Sequence, residues 1–429
     1  MTNSAAYPSW TRKPSFRPAI AGRAIAIVFA LAAIVAPSAQ AQAFTLLHTF
    51  TGPDGSEPAA GLAMDRAGRL YGTTVYGGSS PGLGTVFQLS RKGSGWVLNR
   101  IYNFNGNSTN DGGRPFAGLT IGPDGSFYGT TYEGGGGCSL TNRGCGTVYN
   151  LKPPASACKS ALCPWAETVI YRFVGGSDGA QPGYGNLVFD QAGNIYGTTS
   201  SGGVSGGTVF ELTPSNGGWT ESVLHSFTGG SDGAIPWGGL VLDKAGNLYG
   251  TTYKGGGGCS NGGCGTVFEL TPSGSGWTEK VLYSFQGGSD GGFPYAGLVF
   301  DQSGNLYGAT LYDGSGQGGT VFELTPSNGG WTFNLLYSLS SFQGPYNSLV
   351  FDAVGNLYGT AAQDDGAGLV FELTPGSGGW TYTTLHNFTD GYDGGLPLGS
   401  PLVDASGNVY GTALNGGTDS VGTVWEATP

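Results

Sequence analysis

Residues 239–285 read GLVLDKAGNLYGTTYKGGGGCSNGGCGTVFELTPSGSGWTEKVLYSF. Four strand-like runs stand out: Gly239–Asp243, Asn247–Thr252, Thr266–Leu270 and Trp277–Phe285. Val, Leu, Phe, Tyr and Thr fill the runs, while Gly, Pro, Asn and Ser fill the gaps. This is the composition of consecutive antiparallel strands joined by tight turns. One such unit cannot bury both of its faces and needs copies of itself.

The copies are in the chain. The Tyr-Gly pair of the second run recurs at Tyr71, Tyr128, Tyr196, Tyr249, Tyr307, Tyr358 and Tyr410, at spacings of 57, 68, 53, 58, 51 and 52 residues. Seven copies of four strands predict an all-β protein, a seven-bladed β-propeller of four-stranded antiparallel blades. The repeats start near residues 61, 118, 186, 239, 297, 348 and 400. A β-solenoid, the rival repeat architecture, uses shorter coils that are not four hairpin-linked strands. The turn Asp243-Lys244-Ala245-Gly246 suits a type I turn closed by a left-handed glycine, and that glycine is present in all seven copies. The glycine after each repeated Tyr is expected to mark close approach of a neighbouring blade.

The two ends complement each other. Phe44–Phe50 (FTLLHTF) reads as a fourth strand without its first three, and Gly422–Pro429 (GTVWEATP) as a third strand without a fourth. The N-terminal strand is therefore expected to complete the last blade and close the ring, which removes exposed sheet edges. A ring without free edges is expected to be a monomer.

Residues 1–43 read as a signal peptide ahead of a propeller over 44–429. Arg12, Lys13, Arg17 and Arg23 precede the apolar run Ala24–Ala36, and Ala39-Gln40-Ala41 supplies small residues for cleavage. The apolar run is too short to span a bilayer comfortably, and no other long apolar run follows. Cleavage removes four of the 17 basic residues and none of the 28 acidic ones, leaving 13 against 28, a net charge of −15. Such a surface argues against nucleic acid and anionic lipid as partners and leaves glycans and proteins open. The six cysteines form three close pairs: Cys138 with Cys145, Cys158 with Cys163, and Cys259 with Cys264. Each pair is expected to be a local disulfide in an exported chain. Zinc is disfavoured, because the spacing is wider than Cys-x-x-Cys and no His lies beside any pair.

The recurring L-V-F-D-x-x-G-N-L-Y-G-T-T, then G-T-V-F-E-L-T-P, then G-G-W-T-x-x-x-L-H-S-F resembles the bacterial tandem-repeat family called GloVer, over nearly all of residues 44–429. The resemblance implies an exported bacterial protein, secreted, periplasmic or at the cell surface. Members often carry a C-terminal surface anchor, whereas this sequence stops at Pro429. The resemblance implies no activity, substrate or catalytic residue.

Most chemistry-bearing residues repeat, which argues for structural roles. His48, His225 and His386 share one fourth-strand position with Tyr102, Tyr171, Tyr283 and Tyr337, a packing position with a polar tip. Glu211, Glu269, Glu323, Glu372 and Glu426 share one third-strand position with Gln88 and Asn150, which points to hydrogen bonding between strands or blades. Six tryptophans, Trp96 to Trp380, open fourth strands and read as blade-edge packing. Asp-Gly pairs at Asp54, Asp111, Asp178, Asp232, Asp290 and Asp393 read as turn chemistry, with calcium the sharper alternative. No cofactor and no metal site are expected otherwise.

Two function classes remain: a non-enzymatic binding or scaffold module for a glycan or protein partner, and a carbohydrate-active enzyme, glycoside hydrolase or lyase, built on loop carboxylates. A glycosidase needs two facing carboxylates, and the repeat-breaking acids between second and third strands are Glu133, Asp313, Asp364, Asp365 and Asp419. The binding reading rests on the inter-blade loops. Each holds a proline, followed by Phe116, Trp237, Tyr295 or Tyr346 in four blades, with Tyr184 one place further on in another. With Arg114 nearby, these five aromatic residues are expected to rim the central opening and bind the ligand. The alternative is that they plug the channel by packing on one another.

Overall fold

The computed structural model describes residues 43–106, 111–154, 165–260, 262–274, 276–312, 318–339, 344–363 and 366–429. Every regular element among them is a strand. Seven four-stranded antiparallel blades stand in a ring, six of them built in chain order from a short first strand to a long fourth one and the seventh completed by the N-terminal strand. Blade four runs Val241–Leu242, Leu248–Thr252, Thr266–Ser273 and Gly276–Ser284. Its second strand is buried throughout, whereas its fourth alternates between exposed and half-buried residues. The residue pattern explains both: the second strand carries no charge and its threonine hydroxyls are hydrogen-bonded, so it can lie between layers, and a period of two marks a strand with one solvated face. Seven hydrophobic clusters follow, one at each blade junction; Tyr249, Val267 and Phe285 of blade four, for example, pack with Leu298, Leu306 and Phe322 of blade five.

The ring closes as the ends foretell. Ala43–Thr49 pairs antiparallel with Thr423–Thr428, with Phe44 opposite Ala427 and Leu46 opposite Trp425, and the Phe50 amide donates to the Gly422 carbonyl at 3.0 Å. At the axis the starts of successive blades touch. A Cβ at Gly118 would lie 2.9 Å from both the Asn186 side chain and the Gly61 carbonyl, and one at Gly61 would lie 2.7 Å from the Ser400 carbonyl.

Four devices repeat from blade to blade. The turn glycines, Gly246 and its equivalents, all adopt positive φ, as the turn chemistry requires. The Tyr-Gly glycine has a different role from the expected one. The close neighbour is an aromatic ring of the same blade: a Cβ at Gly72 would lie 2.5 Å from Phe87, its partner on the third strand, and Gly250 faces Phe268 likewise. The ring lies across the bare glycine and covers it. In blades three to seven the Tyr hydroxyl sits between the turn Asp and the third-strand Glu, 2.8 Å from Glu269 and 3.3 Å from Asp243 in blade four. The glutamates thus join strands, as read from the sequence. Last, a β-bulge in every fourth strand re-aims the His or Tyr that follows it. Tyr283 Oη then donates to Asp290 at 3.0 Å, and His48 and His386 lie 2.9 and 3.0 Å from Asp54 and Asp393.

Blade docking uses a strained residue. Glu57, Arg114, Gln181, Ile235, Phe293 and Leu396, each just before the loop proline, have φ of 57°, 56°, 56°, 59°, 59° and 49°. A left-handed conformation costs a side-chain-bearing residue roughly 1–2 kcal/mol. Two backbone hydrogen bonds offset it. The Phe293 amide donates to the Cys264 carbonyl of blade four (2.6 Å), and its carbonyl accepts from the Leu311 amide of blade five (3.2 Å). The following proline seats on the glycine that begins the previous blade's third strand; a Cβ at Gly265 would lie 2.6 Å from Pro294.

Two of the three expected disulfides are in place, joining Cys138 to Cys145 and Cys259 to Cys264. The third, expected between Cys158 and Cys163, lies outside the described residues, and so do residues 1–42 of the expected signal peptide. Among the described residues no helix is long and apolar enough to cross a membrane.

The outer faces of the junctions differ. Phe333, Tyr382 and Phe44 stack on Tyr283, Tyr337 and His386 of the preceding blade, with centroids 4.7, 4.2 and 3.6 Å apart. Blades two, three and four put Glu167, Glu221 and Glu279 at this position, opposite the same third-strand Leu. In each, Oε1 is buried without a hydrogen-bond partner. Burial first, then the charge of Asp111, Asp178 or Asp232, pushes each carboxyl from its ordinary 4.5 up to about 7.

Two expectations follow from closure and from these carboxyls. A chain lacking residues 1–50 should melt lower by about 10 °C or more and associate through its open edge, relative to one starting at Ala43; unchanged melting with a monomeric profile would contradict closure. Between pH 4.5 and about 7 the folded chain holds protons that the unfolded chain releases, so these groups lose their stabilising effect as pH rises through that window. Melting temperature should fall from about pH 5 to about pH 8, and Glu167→Gln/Glu221→Gln/Glu279→Gln should flatten the slope; an unaltered slope in the variant refutes the assignment.

Candidate functional site

The inter-blade loops and the loops between second and third strands emerge on one face, here called the mouth face. The loop prolines place Phe116, Tyr184, Trp237, Tyr295 and Tyr346 in one connected cluster across the central opening. Ring centroids lie 4.9 Å apart for Phe116–Tyr184, 5.1 Å for Tyr184–Tyr295, 4.3 Å for Trp237–Tyr295 and 5.1 Å for Tyr295–Tyr346. The Tyr184–Tyr295 contact spans blades three and five, so the rings meet over the opening itself. Tyr295 is almost fully buried at 7% exposure, whereas the other four are half-buried. Burial holds the Tyr184 and Tyr295 hydroxyls above the ordinary tyrosine range, and the hydrogen bond between them raises Tyr295 further while it lowers Tyr184. The cluster therefore packs on itself and still presents aromatic surface.

The cluster extends to residues that the repeat pattern alone does not single out. Tyr132 lies edge-on to Phe116 at 5.4 Å, Tyr253 packs on Trp237 at 4.8 Å, and Phe293 lies 5.4 Å from Tyr253. Tyr132 and Tyr253 stand four residues after a repeated Tyr, an offset at which only some blades have a ring. That irregularity was the available signal. In blades seven and one the positions after the loop proline are Leu398 and Ala59, so the aromatic surface is a crescent rather than a ring.

Arg114 stands at one end of the crescent. Its guanidinium lies 4.9 Å from the Tyr76 ring and donates through Nη1 to Glu133 at 3.2 Å, while its Nε is buried without a partner. Glu133 also accepts from Arg143 at 3.3 Å. On the other side, Glu57 is raised above the ordinary carboxylate range by burial, opposed by the charge of Arg114. Two carboxyls thus face one guanidinium beside the aromatic surface. Of the other repeat-breaking acids, Asp419 is exposed on its loop, and Asp313, Asp364 and Asp365 lie outside the described residues.

The Asp-Gly aspartates are engaged locally. Asp290 accepts from the Gln286 amide (2.8 Å) and Tyr283, and Asp178 accepts from the Val174 amide (2.9 Å) and Tyr171 (3.2 Å). Among the described residues no group of three or more His, Cys, Asp or Glu is placed to hold a metal ion.

Comparison with known proteins adds the following. No curated protein matches in sequence. Among solved structures, a putative 6-phosphogluconolactonase from Bacteroides uniformis is similar, at 14% identity over 80% of this chain and 86% of that one, with a TM-score of 0.48. An ulvan lyase of a polysaccharide lyase family is similar at 13% identity over 88% and 94%, with a TM-score of 0.48. A putative oxidoreductase (glucose dehydrogenase) from Thermus thermophilus is similar at 15% identity over 90% and 100%, with a TM-score of 0.45. Likeness at this level carries no activity across. The profile of the Gloeobacter/Verrucomicrobia repeat matches residues 32–263 and again 188–425, as the repeating Tyr-Gly and Gly-Thr-Val-Phe-Glu-Leu motifs require, and the chain belongs to that family.

Proposed function

We propose that this propeller acts outside the cytoplasm as a non-enzymatic binding module, and that a glycan chain lies along the aromatic crescent of the mouth face. The observation that carries this reading is the connected set Phe116, Tyr184, Trp237, Tyr295 and Tyr346 with part of its ring surface open to solvent. Flat rings with hydroxyls at their edges suit the apolar faces and hydroxyl edges of sugars. The crescent breaks the sevenfold pattern, as one directional ligand needs. A signal peptide over residues 1–43 and local disulfides fit work in an oxidising compartment. The enzymatic reading keeps one specific support: Glu57 and Glu133 both face Arg114, and the raised Glu57 carboxyl suits proton donation.

Screening the purified chain on a glycan array and against chromogenic glycosides separates the two. Binding without turnover is expected. Trp237→Ala should weaken the bound glycan by about 2 kcal/mol, roughly thirtyfold in Kd, with melting shifted by only a few degrees. Tyr295→Phe, which keeps the buried ring, tests the hydroxyl separately. Turnover that disappears in Glu57→Gln or Glu133→Gln establishes the enzyme instead, and binding that survives Trp237→Ala places the ligand elsewhere.

A further inference from the structure

The opposite face carries the turns between first and second strands and the hairpins between third and fourth. In blades three to seven each repeat puts an Asp and a Glu there around a Tyr hydroxyl. Blades one and two break this pattern in one direction. Gln88 and Asn150 stand in place of the Glu, and Gly122 in place of one turn Asp, where Asp124 accepts from the Tyr128 hydroxyl instead at 3.4 Å. Arg69 replaces the Asn found in blades three to seven, and Ser90-Arg91 and Lys152-Pro153 replace their Thr-Pro. Arg66 and Lys92 add two more cations. The whole chain is polarised accordingly. Residues 44–172 hold ten of the 13 basic residues after the leader and seven of the 28 acidic ones, a net +3, while residues 173–429 hold three and 21, a net −18.

Clefts open between blades on this face; one between blades five and six keeps the acidic pattern, with Asp301 and Asp352 in its wall, and two others flank blade one. One of about 920 Å³ lies between blades one and two, lined among others by Arg66, Arg69, Gln88 and Trp165 and by the carboxylates of Asp65 and Asp124. The other, of about 690 Å³, lies between blades seven and one, with Arg69, Arg91 and Trp96 in its wall. Both are in the range of small-molecule sites, roughly 300–1,000 Å³. A hydrogen-bond relay holds the shared wall. Gln88 Nε2 donates to Tyr71 Oη (2.7 Å), Tyr71 Oη donates to Asp65 (3.1 Å), and Asp65 accepts from Arg69 Nε (2.6 Å). That relay spends one edge of the Arg69 guanidinium on the protein. Arg66 is exposed and makes no ion pair or side-chain hydrogen bond among the described residues. Arg91 lies 4.9 Å from the centroid of the Trp96 ring, with Glu426 3.5 Å away. Trp165 packs at 5.6 Å from Phe127 and 6.2 Å from Tyr71.

We propose that these clefts flanking blade one form a second binding site, for a short acidic saccharide segment. Guanidinium groups pair with a carboxylate or sulfate through parallel N–H bonds, and the indole of Trp165 supplies a flat face for a sugar ring, while Trp96 backs the Arg91 guanidinium. The basic patch ends after two blades, and the acidic remainder of the ring repels any long polyanion that runs beyond it. A membrane surface or a nucleic acid is disfavoured for that reason, while a few charged sugar units fit within the patch. This site is independent of the mouth face.

The test is calorimetric titration of the full chain with a short oligogalacturonate, a sulfated oligosaccharide and a neutral glucan oligosaccharide, each at low and physiological salt. One or both anionic saccharides should bind this face, more weakly as salt rises, and which of them binds identifies the anion. Arg66→Gln/Arg91→Gln, changed at exposed positions, should raise that Kd about tenfold without altering melting, while Trp237→Ala leaves it unchanged. The proposal is overturned if neither anionic saccharide binds, if the arginine variant binds as well as the parent, or if the neutral sugar, an oligoglutamate or a short oligonucleotide titrated into the Trp237→Ala chain binds equally well.

Discussion

The ring depends on one repeated contact, the seating of a loop proline on the bare glycine that begins the preceding blade's third strand. A Cβ at Gly265, Gly146 or Gly84 would intrude on Pro294, Pro182 or Pro115, so the glycine is required by space as well as by its positive φ. The residue before the proline is held left-handed and shares its amide with one blade and its carbonyl with the next. The strain is bearable because both of its backbone groups are satisfied at a half-buried position. Blade six varies the device: Gly344 precedes Pro345, and its amide reaches the Leu311 carbonyl of blade five. Each junction is thereby oriented the same way, and the N-terminal strand can meet the last blade in register.

That device also positions the candidate chemistry. A left-handed residue and a fixed proline aim the next side chain at the axis, so whatever residue stands there faces the opening. Where the chain puts rings, they converge; where it puts Ala59 or Leu398, the crescent ends. Glu57 and Arg114 occupy the strained position itself in adjacent loops, which brings a carboxyl and a guanidinium together at the end of the crescent. The repeated frame does the placing, and departures from the repeat supply the individuality. The same logic holds on the opposite face, where five blades present paired carboxylates and blade one presents arginines.

Tyr-Gly spacing, turn glycines and the half-repeats at the two ends were enough to read blade number, strand order and ring closure, because each is a local pattern with a period of two along strands and about fifty along the chain. The roles of His and Glu at repeated positions were legible for the same reason. The Tyr-Gly glycine is the exception, since it reads as a contact between blades and is none. Bareness in a strand signals close approach, but register decides the neighbour, and register puts Phe87 opposite Gly72.

The sequence by itself determined the fold, two local disulfides, Cys138 with Cys145 and Cys259 with Cys264, and which loops carry large rings, since all of these follow from near neighbours and repeats. Only the tertiary structure decided that Tyr295 is buried while Trp237 stays half-open, that Tyr132 and Tyr253 join the same cluster, and that Glu167, Glu221 and Glu279 lie against the aspartates of the preceding blade. These depend on distances between residues tens of positions apart, brought together by the rotation from one blade to the next. No local pattern encodes that rotation.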